Sequence, residues 1–278
     1  MDMKSQNNKI SPKKKIDSFS IITICIAMLV TCFISIAVGS IIVGGAPCFI
    51  DNLKSEEVRF AFRLSFFTAS ISTILVMLLA LPTAYALTRT AMPFKGLLGI
   101  IIELTLSLPY LLLGLSLLII FSSPAGKVLK EMGFKVVFSP LGIVMAHILV
   151  NLPYGIRLIR TAFESTDRRL EYIASTLGAS SWRTFLTILL PICKNSLIST
   201  FLLVWSRALG EFGATLMLVG ITRMKTETLP GSIYLSITTG NNSTAMATAM
   251  LMLLISVCTL FISHLLNRPA YKQERQVH

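Results

Sequence analysis

The sequence predicts an all-α integral membrane protein with six transmembrane helices and both termini cytoplasmic. Three observations carry that expectation. The chain is 54% hydrophobic and only 14% charged, with a mean hydropathy of +0.75, which is too apolar for a soluble globular domain. Its apolar residues come in six runs, each long enough to cross a bilayer. Lysine and arginine collect in the short segments between them, sixteen on the side that holds both termini and eight on the other, with Arg207 left inside a run. That asymmetry marks the cytoplasmic side. The net charge of +12 therefore reads as orientation in a lipid membrane, and no nucleic-acid partner is expected.

Residues 1–17 are polar, with Lys13, Lys14 and Lys15 directly before the first apolar run, and read as a disordered cytoplasmic tail. The run 18–43 is well beyond the length of a signal-peptide core, and the GGAPC that follows is a poor cleavage site. An uncleaved first helix is expected. After an outer loop, 44–57, the second span covers 58–88, long enough that Arg59 and Arg63 lie at the outer interface. A short basic bend, 89–95, contains Pro93 and belongs inside. The third span is 96–121, an outer loop is 122–138, and the fourth span is 139–163. A polar island, 164–187, sits inside. The fifth span is 188–219, an outer loop is 220–242, the sixth span is 243–266, and residues 267–278 return to the cytoplasm. Cys25, Cys32, Cys48, Cys193 and Cys258 form no CxxC and mostly lie in or beside apolar runs, so they read as small packing residues.

The polar island is the most informative stretch. Leu170, Ile173, Ala174 and Leu177 fall at i, i+3, i+4 and i+7, which gives a short helix one apolar stripe. Ser165, Thr166 or Asp167 can cap its start, and Gly178 stands where a left-handed helix stop belongs. A segment this short cannot bury such a stripe by itself. Either the stripe folds back onto its own bundle, or another protein receives it.

No catalytic constellation is present: His147, His264 and His278 are far apart in sequence, and no His, Cys and carboxylate cluster has metal-ligand spacing. PAGKVLK lacks the upstream glycine and the trailing Ser or Thr of a phosphate loop. An enzyme is not expected, nor a cofactor bound by this chain. Polar residues inside spans are the other site candidates. Arg207 and Glu211 are spaced i, i+4, so mutual neutralisation on one helix face is expected, with a direct role toward substrate as the alternative. His147 and Asn151 have the same spacing and suggest an interhelical hydrogen bond. Glu103 could meet Arg89 or another arginine. Ala208, Gly210, Gly213 and Ala214 remove side-chain bulk, and Gly210 with Ala214 makes a small-xxx-small pair. The close contact is either within the chain or with a second copy.

The island resembles the signature loop of type I ABC importer permeases, a triplet EAA, three residues, Gly, nine residues, then I-x-L-P. Gly178 takes the glycine, and Ile188, Leu190 and Pro191 complete the motif in register. The triplet reads Tyr172, Ile173, Ala174, which keeps only the last alanine, and the nearest acid, Glu171, stands one place early. The resemblance extends over about 58–266. SPLGIVMAH, LGASSWRTF, RALGEFGATLMLVG and TETLPGSIY are similar to the molybdate and tungstate branch, which is close to the sulfate and thiosulfate permeases. LGEFGA belongs to both branches, and TETLP with the following IY tilts the resemblance toward molybdate or tungstate.

That resemblance implies the type I permease fold in the cell membrane and a homodimer of this chain. It also implies two cytoplasmic ABC ATPase subunits that bind ATP and Mg, and an extracytoplasmic oxyanion-binding protein. The island becomes the coupling helix, with Glu171, Tyr172, Ile173, Ala174, Leu177, Gly178, Ala179, Ser180 and Pro191 at the ATPase junction. Arg207, Gly210, Glu211 and Gly213 are the candidates for pathway or gate. An ion-coupled secondary transporter would need its own intramembrane acids, for which Glu211 and Glu103 are the main offers.

Overall fold

The computed structural model describes residues 17–267, and every regular element in them is helical. The expectations for 1–16 and 268–278 lie outside the described residues. The described part of the first unit, which ends at Val43, is almost entirely helix α1 (Ser18–Gly45), whose side chains Phe19, Ile22, Met28, Leu29 and Phe33 are all exposed. A helix apolar on every side has no polar face to offer water, so a bilayer is its solvent.

The second unit, from Gly44 onward, holds the rest of the described residues. A 3₁₀ turn (Ala46–Cys48) and α2 (Phe49–Leu53) lead into α3 (Glu56–Arg89). Ser55 caps α3 by accepting from the Val58 backbone N–H. The helix packs along α7 (Pro140–Glu164) through small residues: Ala61, Ala69, Val76, Ala80 and Ala84 are buried to at most a trace. Gly155 of α7 lies opposite Val76 and Ala80, and a Cβ there would meet Val76 at 3.1 Å. Small side chains let the two backbones approach where lipid offers no hydrophobic drive to associate.

Three expected segments are corrected. The third span is not one helix: α4 (Lys95–Ser107) and α5 (Tyr110–Ser122) meet at a bend of 110°. Pro109 drives Leu108 into extended backbone, φ −79° and ψ 140°, and removes an N–H that a continuous helix would need. The fifth span begins earlier and ends sooner. A rod runs from Ser181 to Leu209, as α9 (Ser181–Thr184), one wide π turn (Phe185–Leu189) and α10 (Leu190–Leu209). Pro191 has no N–H to return to the preceding turn, and the wide turn, with Leu190 N–H bonded to Phe185 O, absorbs the mismatch. After a break at Gly210–Phe212 the chain restarts as α11 (Gly213–Val219). The segment 220–242, expected as an outer loop, contains α12 (Leu229–Thr238), whose Leu229, Gly231, Ser232 and Ser236 are buried. Leu229 N–H donates to Ser65 Oγ of α3 at 2.8 Å, so this helix is tied back into the bundle.

Two short helices complete the unit, α6 (Pro124–Glu131) and α8 (Arg168–Thr176), before α13 (Asn242–Asn267), which packs on α10 and α12. Among the described residues five helices are long and apolar enough to cross a membrane, or six if the bent α4 and α5 pair counts as one span. The five cysteines are free, and Cys193 is buried in a core cluster with Phe163, Ile159 and Leu189.

Candidate functional site: an anchored surface helix and an interrupted span

Helix α8 is closed at both ends by its own sequence. Asp167 caps the start by accepting from Arg169 N–H at 2.9 Å. At the other end Gly178 takes φ +84°, Ala179 N–H reaches back to Ala174 O at 3.0 Å, and Gly178 N–H bonds Ser175 O at 3.0 Å. This is the paired return that a left-handed residue permits. Ser180 then caps α9 through Arg183 N–H.

The helix is held by arginines. Arg89, at the end of α3 and with its side chain only 5% exposed, donates Nε to Glu171 Oε1 at 2.8 Å and its terminal nitrogen to Phe163 O at 2.7 Å and Thr166 O at 3.3 Å. Arg168 returns the link by donating to Thr88 O at 2.7 Å. An acid one place early in the triplet therefore still reaches a buried guanidinium, because α8 lies along the end of α3. Arg89 is thus engaged by Glu171, and exposed Glu103 makes no ion pair among the described residues.

What the anchor leaves open is the apolar stripe. Ala174 is buried, but Ile173 is 57% exposed, Leu177 82% and Tyr172 76%, with Leu170 and Trp182 also exposed. Leu170, Ile173, Leu177, Ile188, Pro191 and Ile192 line an open groove between α8 and the start of α10. Apart from Ala174, the stripe does not fold back onto its own bundle. Gly178 offers a direct test of the turn that presents it. A Cβ there would meet nothing within 4 Å, so only backbone strain opposes a side chain. Gly178→Val should cost about 1–2 kcal/mol, while Gly178→Asn, which tolerates left-handed backbone, should retain partner binding. Retained binding in both, read by co-purification, would deny the turn that role.

The second candidate group is rearranged relative to expectation. Arg207 and Glu211 do not neutralise each other. Glu211 is buried, and its carboxylate accepts from Ala214 N–H at 2.8 Å, Thr215 N–H at 3.1 Å and the Thr215 hydroxyl at 2.7 Å, capping α11. The free N–H groups of a new helix are a better partner than a side chain on the turn below, because they are already aimed at it. Arg207 turns the other way, 5.4 Å from the Tyr110 ring centroid and 4.8 Å from that of Tyr154, with a hydrogen bond to the Tyr110 hydroxyl.

Gly210 lies in the break after α10 and Ala214 in α11, so their small-xxx-small spacing marks no single helix face. Ala214 instead meets α5 within the chain: a Cβ on Gly114 would lie 2.5 Å from Ala214 O. Gly213 packs against Tyr110. His147 approaches Ser72 of α3 at 3.4 Å, an interhelical contact, whereas Asn151 donates within α7 to His147 O.

Comparison with known proteins decides the family. Residues 91–270 match the family model described as the binding-protein-dependent transport system inner membrane component. The chain belongs to this family. Its members are translocation components of transport systems, not enzymes. Among curated relatives, this inner membrane component is 32% identical over 83% of its length to the sulfate transport system permease protein CysW of Synechococcus elongatus, covering 82% of that protein. It is 34% identical over 75% of its length to the molybdenum transport system permease protein ModB of Escherichia coli K12, covering 93% of it. Among solved structures, a chain of the bacterial alginate ABC transporter in complex with alginate pentasaccharide-bound periplasmic protein superposes with a TM-score of 0.68 at 15% identity, over 92% of this chain and 96% of that one. At that identity the likeness concerns the fold alone, that of a type I importer permease.

Sequence reading of this inner membrane component reached Glu171, the exposed stripe and Gly178 through periodicity and motif. It missed Arg168, Tyr110 and Tyr154 as partners. Arg168 had a signal in its place beside the Asp167 cap, but nothing in sequence pairs Tyr110 or Tyr154 with a residue on α10.

Proposed function

We propose that this chain is the membrane-spanning subunit of an ATP-driven importer for a tetrahedral oxyanion, molybdate or tungstate. It works as a homodimer with both termini cytoplasmic, two cytoplasmic ATP-binding subunits that hold ATP and Mg, and an extracytoplasmic binding protein that delivers the anion. The observation that carries this reading is α8, rigidly anchored yet with Leu177 82% exposed. Such a ridge on an anchored helix fits a cleft in a partner.

In this scheme α8 is the coupling helix. Closure of the ATP-binding subunits draws the two copies of α8 together. Motion passes through Arg89 and Arg168 to α3, and through the rod Ser181–Leu209 to the break at Gly210, and so switches the pathway between inward-facing and outward-facing states. Hydrolysis and product release reset it. An ion-coupled transporter is disfavoured because both buried acids among the described residues are committed to backbone N–H groups, Glu211 to those of Ala214 and Thr215 and Glu227 to that of Met224.

The sulfate-named relative keeps sulfate or thiosulfate as the second reading. The deciding experiment reconstitutes the complex and asks which anion-loaded binding protein stimulates its ATPase. Stimulation by molybdate or tungstate but not sulfate supports the first reading, and the reverse selects the second. For orientation, single cysteines replacing Lys54, Lys130 and Lys225 in a cysteine-free background should react with an impermeant reagent outside intact cells. A cysteine replacing Arg168 should not, and the opposite pattern would invert the topology.

A further inference from the structure

Arg207 is a cation without a carboxylate. Among the described residues the ion pairs are Arg89–Glu171, Arg160–Glu164 and Arg223–Glu57, and Arg207 belongs to none of them. Its Nε is buried and has no hydrogen-bond partner. Its depth follows from its neighbours. Gly155, beside Tyr154, lies against Val76 near the middle of α3 and against Val204, one turn before Arg207 on α10. The guanidinium therefore sits well inside the membrane-spanning part of the bundle, where an unneutralised charge is costly and marks a pathway.

Two interruptions and one in-helix proline converge on it. Tyr110 begins α5 immediately after the bend at Pro109, Tyr154 follows Pro153 in α7, and Arg207 stands one turn before the break at Gly210. The two breaks touch, since a Cβ on Gly213 would lie 3.2 Å from Tyr110 Cβ and 3.5 Å from Leu111 N. Interrupted helices that meet inside a membrane bundle are where transport proteins build solute sites. The guanidinium carbon lies over both rings and one terminal nitrogen donates to the Tyr110 hydroxyl, which leaves the remaining N–H groups available. The Tyr110 hydroxyl accepts from Arg207, so its own proton remains to donate. Tyr110 and Gly210 are exposed, so one side of the cluster is open. Glu211, the nearest acid in sequence, is turned into α11 and does not occupy that side.

We propose that Arg207, clamped between Tyr110 and Tyr154, is the contact that receives the tetrahedral oxyanion inside the membrane, with the Tyr110 hydroxyl as a second donor. A planar guanidinium suits such a ligand because two parallel N–H groups match two oxygens of the anion. The site rests on the importer reading above, and two arms test it separately from that reading.

In the first arm, complexes with their ATPase and binding protein are placed in vesicles, and uptake of molybdate and of sulfate is measured. Arg207→Gln should lower uptake of the transported anion by about tenfold or more. Arg207→Lys keeps the charge but not the fork and should fall between. Wild-type uptake by Arg207→Gln would overturn the site. A wild-type complex that takes up no oxyanion removes the importer reading itself, and the site with it.

In the second arm Arg207 is retained, so the outcome does not depend on the Gln variant assembling. Gly210→Cys is introduced with the native cysteines replaced, a position where a Cβ meets only the carbonyl oxygens of Arg207 and Ser206, each at 3.8 Å. An anionic methanethiosulfonate should modify it about fivefold or more faster than a cationic one of similar size. Equal rates, a faster cation, or no reaction with either would overturn the proposal.

Discussion

Leu177→Asp should release the ATP-binding subunits from a permease that still inserts and dimerises. The side chain is 82% exposed, so the isolated subunit loses almost no packing when it changes. In the assembled transporter the same side chain would be buried in a cleft. Losing that burial costs about 2 kcal/mol, about thirtyfold in affinity. An aspartate taken into an apolar cleft without a partner adds a desolvation penalty of its own. Leu177→Met, close in volume and flexible, should bind nearly as wild type. The measurement is co-purification of the ATP-binding subunit together with uptake in vesicles. Wild-type coupling by the aspartate variant would leave the ridge without a partner and withdraw α8 from the coupling role.

The other large effect is expected at Arg89. Its guanidinium serves the Glu171 carboxylate and the carbonyls of Phe163 and Thr166 from an almost fully buried position. Arg89→Ala leaves a partly buried carboxylate and two carbonyls without their donor, a cost of about 3–5 kcal/mol. Glu171→Gln should cost much less, since Arg89 keeps both carbonyls and the amide oxygen can still accept. Combining Arg89→Ala with Glu171→Gln should recover part of the loss, the signature of a coupled pair. Thermal melting of the purified subunit reads the first quantity. Reaction of a cysteine at Ser175, on the exposed part of α8, reads the release of the helix from α3. An Arg89→Ala protein that melts as wild type and keeps α8 ordered would show that the anchor lies elsewhere.

These two residues divide the chain into what can be read locally and what cannot. Leu177 was legible because a helix repeats every 3.6 residues: its place in the stripe with Leu170 and Ile173 needs no knowledge of the fold, and Gly178 marks the stop by the backbone it alone takes easily. Arg89 was legible as a basic residue expected on the inner side and as a candidate partner for Glu103, not as the partner of Glu171. Its partner is 82 residues away, and the triplet's acid had moved one place, so nothing local connected the two.

The membrane class, the six apolar runs and the surface helix were determined by the sequence itself, because hydropathy, helical period and charge asymmetry are properties of neighbouring residues. The tertiary structure decided where spans are interrupted and which polar groups face one another. Pro109 could have kinked a span gently, but packing against α11 accompanies a bend of 110°. Arg207 and Glu211 had the spacing of a helical pair, yet the break after Leu209 gave Glu211 a fresh helix end to cap and left Arg207 to two tyrosines on other helices. Spacing along one helix predicts partners only while the helix continues. Once it stops, unsatisfied backbone N–H groups compete for the carboxylate, and three-dimensional proximity decides the outcome.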